Sequence, residues 1–296
     1  MADLNWTDAL TDDDIDRVRA LLAAAAEVDG QPEVPPTGLP GEFRDGSHLL
    51  AGTDPLTGYA HLDIAGDAYG RPVGDAFVHP DARRAGLGTA LVRQLVERAG
   101  SELRVWARGD HPAAGRIADE LGLRPVRTLL KLRLDLTVAD RPSLPEPVWP
   151  AGVIARTFVP GADEAAMIEV NRAAFDWHPE QGALTVDDLR AAEAEDWFDP
   201  AGFFLAERDR TVVGFHWTKV HSTPDGPVGE VYVVGVHPDA QGGGLGKALT
   251  LIGLHHLRAA GLPEVVLYVE ADNGPAVAVY RKLGFVDAAV NRQYAR

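Results

Sequence analysis

The chain has 296 residues, enough for two domains of ordinary size, and its 46% hydrophobic and 24% charged content excludes a disordered or fibrous protein. A formal net charge of −16 disfavours nonspecific contact with nucleic acid or anionic lipid, and the absence of cysteine excludes disulfides, thiolate catalysis and thiolate metal sites. The start, Met1-Ala2-Asp3-Leu4-Asn5-Trp6, lacks a basic stretch followed by an apolar core, and no apolar run approaches the roughly 18–20 residues of a membrane helix. A cytoplasmic protein with no nucleic-acid or membrane partner, acting as a monomer, is expected.

Thr11 followed by Asp12, Asp13 and Asp14 is a helix start, a capping hydroxyl with acids at the positive end of the dipole. Ile15, Val18, Leu21, Leu22 and Ala25 then recur at helical spacing until Gly30. Residues 31–40 hold four prolines and read as a loop. Strands are expected at 49–52, 58–64, 73–78, 103–107 and 129–134, with helices over 88–99 and 112–121. The proline density of 140–150 is incompatible with a helix or an inner strand and marks a semi-rigid linker.

The programme then repeats. A strand at 153–157 and a helix over 163–175 lead through a polar loop to a helix near 187–195. A hairpin of 202–207 and 212–220 and a strand at 229–236 follow, then a helix to Ala260. A strand at 265–270, a helix over 275–283 and strands from Phe285 complete the chain. The order is mixed α and β with most strands consecutive, unlike the alternation of a doubly wound sheet. The reading is two tandem domains of one α/β (mixed α+β) fold: 1–139, the linker 140–150, and 151–296.

The repeat is clearest at two glycine turns. Val236-His237-Pro238-Asp239-Ala240-Gln241-Gly242-Gly243-Gly244-Leu245-Gly246-Lys247 has a near copy in Val78-His79-Pro80-Asp81-Ala82-Arg83-Arg84-Ala85-Gly86-Leu87-Gly88-Thr89, 158 residues earlier. Each follows a β-branched run and opens a helix, where free amides and glycine flexibility can hold phosphate oxygens; a tight turn without a ligand is the plainer alternative. Neither common phosphate template fits. Gln241 and Ala248 break the P-loop pattern, and Lys247 occupies the last glycine of G-x-G-x-x-G.

These turns resemble the pyrophosphate loop Q/R-x-x-G-x-G/A of the GCN5-related N-acetyltransferases (GNAT). Asn273, Tyr280 and Leu283-Gly284-Phe285 resemble that family's downstream signature. The resemblance implies acetyl-CoA bound by Val234, Gly235 and Val236, by Gln241 to Lys247, and by Asn273, Gly274, Pro275, Ala276, Val277 and Ala278. It leaves open a second acetyl-CoA at Ala76, Phe77, Val78, Arg83, Arg84, Ala85, Gly86, Leu87, Gly88 and Thr89. More specific stretches are Phe175 to Gly182, Trp197-Phe198-Asp199-Pro200, Gly214 to Val220 and Gly229 to Val236. They resemble tandem members of the family that acetylate the cysteinyl amine of a thiol-bearing sugar, cysteinyl-glucosaminyl-inositol.

Acetylating an amine requires a base for its proton and a donor for the departing thiolate. Glu230 is the candidate base and Tyr280 the candidate acid. Resemblance adds Glu180, Lys219, Glu230 and Tyr268 as acceptor contacts, with Glu33 a further loop acid. Offset by 158, Glu230 falls on Pro72; a local offset of 162 places Tyr280 on Ala118 and Tyr268 on Trp106. The C-terminal half is therefore expected to be catalytic and the N-terminal half inactive. Histidines 178, 216, 221 and 237 lack ligand spacing, so no metal is expected. The alternatives are acetylation of another amine (an aminoglycoside or a protein N-terminus) and a CoA-binding sensor without turnover.

Overall fold

The computed structural model describes residues 3–35, 37–137, 144–176, 181–223 and 226–296. The first half runs β1 (Leu4–Thr7), α1 (Asp12–Asp29), β2 (Ser47–Ala51), β3 (Gly58–Asp63), β4 (Val73–Val78), α2 (Leu87–Ala99), β5 (Arg104–Ala107), α3 (Pro112–Glu120) and β6 (Arg124–Asp135). The second runs β7 (Val153–Thr157), α4 (Glu164–Ala174), α5 (Val186–Glu193), β8 (Phe203–Arg208), β9 (Thr211–Thr223) and β10 (Gly226–Val236). It ends with α6 (Leu245–Ala259), β11 (Glu264–Glu270), α7 (Gly274–Lys282) and β12 (Val286–Ala295). The chain divides into two compact units, one of residues 1–130, 270–272 and 288–296, the other of 131–269 and 273–287.

In unit 1 the strands are ordered β1-β2-β3-β4-β5-β12. All pairs are antiparallel except β4 with β5. The helix expected after Thr11 forms, with a reciprocal cap between Thr11 and Asp14 and a left-handed Gly30 at its end. Val18, Leu21 and Leu22 of α1 pack on Tyr59 and Phe77, covering one face of the sheet. Leu91, Leu95 and Ala118 of α2 and α3 pack with Leu49, Leu62 and Val105 on the other. Strand β1 was not expected from its four residues; it exists because Leu4 to Thr7 pair with Ala51 to His48. The last strand of unit 1 is β12, from the far end of the chain, with Tyr294 opposite Val105.

Unit 2 repeats the plan, ordered β6-β11-β10-β9-β8-β7, with residues 131–135 of β6 at one side. Strand β6 begins at Arg124, five residues before the expected start. Met167 and Val170 of α4 and Leu189 of α5 pack with Phe203, Phe215 and Trp217 on one face. Leu245 and Leu249 of α6 pack with Ala206 and Val153 on the other. No helix among the described residues is long and apolar enough to cross a membrane.

Candidate active site

Strands β10 and β11 run parallel but pair only at Gly229↔Val265 and Glu230↔Val266. Beyond Glu230 the ladder stops, so the β11-facing edge of Val234, Gly235 and Val236 is open to an extended ligand. The same opening occurs between β4 and β5, whose pairing ends at Asp75↔Trp106 and leaves Ala76, Phe77 and Val78 unpaired on that side. Gly235 is required where it stands, because a methyl there would enter the ring of Phe215.

The glycine turns lie at the ends of these edges. Gly242, Gly243 and Gly244 have φ of 83°, 58° and 86°, a left-handed run that glycine adopts without strain. In the N-terminal copy the positive φ falls on Arg84 (69°) and Gly86 (82°). Helices α2 and α6 both begin at a glycine and have no side-chain cap, so their first-turn amides remain available to an anion, apart from Leu245 N, which donates to the Gly242 carbonyl at 3.4 Å. Gln241 donates from Nε2 to the Val236 carbonyl at 3.3 Å, and Arg83 donates from Nε to the matching Val78 carbonyl at 3.1 Å. In unit 1 a cavity of about 550 Å³ is lined by every N-terminal cofactor candidate except Ala85, together with Trp106, Arg116 and Tyr294. The donor set and open edges fit an anionic, extended ligand such as acetyl-CoA. Asn273 caps α7, its Oδ1 accepting from Ala276 N at 3.2 Å.

Glu230 is a buried side chain of an interior strand, with Lys219 directly opposite on β9. Its Oε2 lies 2.5 Å from His221 Nε2. The register slips between Val231 and Val233, leaving Tyr232 as the extra residue of a bulge. The bulge sends the Tyr232 ring onto Trp217 and Trp197, with centroids at 5.2 and 5.6 Å. The Lys219 ammonium stands 4.0 Å from the Trp197 centroid and 5.0 Å from that of Tyr232. Burial lowers the pKa of Lys219 against the opposing pull of Glu230 and Glu195. Burial and the Glu230 charge raise that of Tyr232.

Tyr268 is 39% exposed on β11, two residues beyond the partner of Glu230, with the Lys131 ammonium 5.8 Å from its ring. Tyr280 sits on α7 with its ring edge-on to Phe285 at 5.8 Å, and burial pushes its hydroxyl up to about 12. Glu180 lies outside the described residues. Glu33 is exposed in the loop after α1, within unit 1. Among the described residues no group of three or more His, Asp or Glu side chains is arranged to hold a metal.

The structure thus gathers Lys219, Glu230 and Tyr268 on adjacent strands and adds His221, Trp197 and Tyr232, which sequence reasoning had not assigned. Alternation along β9 puts Trp217, Lys219 and His221 on one face, and this was the available signal. The bulge also corrects the repeat arithmetic. Val73 pairs with Arg104 as Glu230 pairs with Val266, so the equivalent of Glu230 is Val73 and not Pro72. Strand β4 does carry a buried acid, Asp75, but its carboxylate accepts from Arg108 Nε at 2.8 Å.

Open edges and uncapped helix starts, with a buried acid where the strands part in each unit, fit an acyltransferase that holds an extended anionic cosubstrate. The chain belongs to the acetyltransferase (GNAT) family, whose profile matches residues 16–122 and 169–285, and is an acetyl-CoA-dependent N-acetyltransferase with two such domains in tandem. Over 308 aligned residues it is 55% identical to a mycothiol acetyltransferase of Saccharomonospora viridis, covering 100% of this chain and 99% of that one. It is 53% identical to a mycothiol acetyltransferase of Amycolatopsis mediterranei, covering 99% of each. A GCN5-related N-acetyltransferase of Sphaerobacter thermophilus superposes with a TM-score of 0.76 at 26% identity, over 99% of this chain and 95% of that one. A tandem GNAT protein from the clavulanic acid biosynthesis pathway shares the fold, with a TM-score of 0.71 at 20% identity over 99% of this chain and 98% of that one.

Proposed function

We propose that this chain transfers the acetyl group of acetyl-CoA to the cysteinyl amine of cysteinyl-glucosaminyl-inositol, giving mycothiol and CoA, with the chemistry in the C-terminal half. The observation that carries the placement is the buried Glu230 carboxylate where β10 parts from β11. The acceptor follows from the full-length likeness to mycothiol acetyltransferases.

Bound acetyl-CoA supplies a thioester carbonyl for the amine to attack and a thiolate to leave. Residues 241–247 and the start of α6 hold its pyrophosphate, the open edge 234–236 lies along its pantetheine arm, and 273–278 flank it. An α-amine has a pKa of about 7.7–8.0, so a useful fraction is already neutral at pH 7 and Glu230 need only take the proton released on attack. Tyr280 holds its proton tightly, near 12 against about 8.5 for a thiol. Complete transfer to a free thiolate would be uphill by about 5 kcal/mol. The phenol therefore acts by donating a hydrogen bond to the sulfur as charge develops there. Lys219 and Tyr268, with Glu180, contact the acceptor.

The N-terminal half, with Val73 and Ala118 at the catalytic positions and Asp75 paired, holds a second CoA without turning it over. The repeated sequence units are read as 1–139 and 151–296 with 140–150 between them, while the compact units divide otherwise, 131–135 lying in the second and 288–296 in the first, and the chain works as a cytoplasmic monomer. The test is turnover of acetyl-CoA with this acceptor by wild type, Glu230→Gln and Tyr280→Phe, with CoA quantified by chromatography because the acceptor carries its own thiol. Glu230→Gln should lose about 10²–10⁴-fold in kcat. A wild type that binds CoA yet ignores this acceptor would remove the substrate assignment.

A further inference from the structure

We propose that His221 is a positioning residue for acetyl transfer: its Nε2–H holds one oxygen of Glu230 so that the other faces the acceptor amine. The proposal rests on the reading of Glu230 as the base. In the β9–β10 register His221 stands opposite Val228 and Lys219 opposite Glu230, so the imidazole reaches the carboxylate across the sheet diagonal. The contact is Nε2 to Oε2 at 2.5 Å, and among the described residues Oε1 has no hydrogen-bond partner.

Lys219 does not compete for the carboxylate. Its ammonium sits between the rings of Trp197 and Tyr232, and among the described residues it forms no ion pair with Glu230. The Glu230 side chain is 9% exposed and that of His221 is 38% exposed, so the imidazole also shields the carboxylate from solvent. An ionised carboxylate only accepts hydrogen bonds, and a short charge-assisted bond to one oxygen fixes the plane of the other. As the C–N bond forms and the C–S bond breaks, the amine proton passes to Oε1. His221 keeps its own Nε2 proton throughout. The arrangement therefore requires a hydrogen-bond donor at this point.

That requirement separates positioning from proton relay. With the full-length protein, acetyl-CoA and cysteinyl-glucosaminyl-inositol, His221→Ala and the bulkier His221→Phe should each lose kcat roughly ten- to hundredfold, the range for a charge-assisted hydrogen bond. Both KM values should stay within about twofold. His221→Gln, which returns an N–H at similar reach, should recover most of the rate. In a Glu230→Gln background, His221→Ala should cost nothing further. The proposal is overturned if His221→Gln is as slow as His221→Ala, if both donor-less variants match wild type, or if the loss lies only in KM. A Glu230→Gln enzyme at wild-type rate would instead remove the base assignment, and that outcome is read without touching His221.

Discussion

The two guanidinium Nη atoms of Arg83 face the two carboxylate oxygens of Asp29, Nη1 to Oδ1 at 2.9 Å and Nη2 to Oδ2 at 2.7 Å, so one of the two basic residues of the N-terminal glycine turn is already neutralised by the end of α1. Both residues line the cavity of unit 1. Asp29→Asn should release the guanidinium toward a bound anion and tighten the second CoA-binding step about three- to tenfold. It should lower stability by about 1–2 kcal/mol through the lost charge-assisted bonds. Two-site calorimetry with CoA, beside denaturant unfolding, checks both; weaker CoA binding would mean that the pair shapes the turn instead of masking its charge.

Lys219 is held over two aromatic faces in a half-buried setting, where a cation–π contact is worth about 1–2 kcal/mol. Trp197→Leu should raise the acceptor KM roughly three- to tenfold and leave the acetyl-CoA KM unchanged. Steady-state rates with each substrate varied in turn decide this. A change confined to acetyl-CoA would place Lys219 on the donor side.

Stability should fall on mild acidification. Burial, aided by the nearby His61, pushes His48 down to about 4. Burial pushes His216 to about 4 as well, against the bond to Leu249. His216 Nδ1 donates to the Leu249 carbonyl at 2.6 Å, so Nε2 is the bare nitrogen, and among the described residues it has no hydrogen-bond partner. Protonation would put an unpaired charge in the core. Both folded values lie below the unfolded 6.5, so their contribution is complete above pH 6.5 and is lost as pH falls toward 4, at most about 3 kcal/mol each. Asp163, held low by Arg156, defends only the range below about 3.8. Urea midpoints between pH 7.5 and 4.5 should drop steeply in wild type and less so in His48→Gln; a flat profile would contradict the buried neutral state.

Gly253 lies inside α6, where alanine would ordinarily gain about 1 kcal/mol. Here a methyl would overlap the imidazole of His216, which its bond to Leu249 prevents from moving. Gly253→Ala should therefore destabilise by about 1–3 kcal/mol. Thermal unfolding checks the sign, and a raised Tm would show that the ring can yield.

Local chemistry was legible in the residues themselves. The helix start at Thr11, the Gly30 stop and the two glycine turns depend on neighbours a few positions apart, and each is present where the sequence placed it. Glu230 was legible as an acid on the strand feeding the turn. Its partners were not, because a diagonal contact from His221 and a ring turned by the Tyr232 bulge depend on a register set by the whole sheet. The one-residue slip that moves the equivalent of Glu230 from Pro72 to Val73 has the same origin.

The sequence by itself determined the repeat, the turns and the helix starts, since periodicity and glycine stereochemistry act within a few residues, and its motifs carried the resemblance to the family. Only the tertiary structure decided that β12 completes unit 1, that Tyr294 lines the unit 1 cavity, and that Asp75 is tied to Arg108. Strand neighbours are chosen by hydrogen bonds and buried surface among segments far apart in the chain, and no local pattern records that choice.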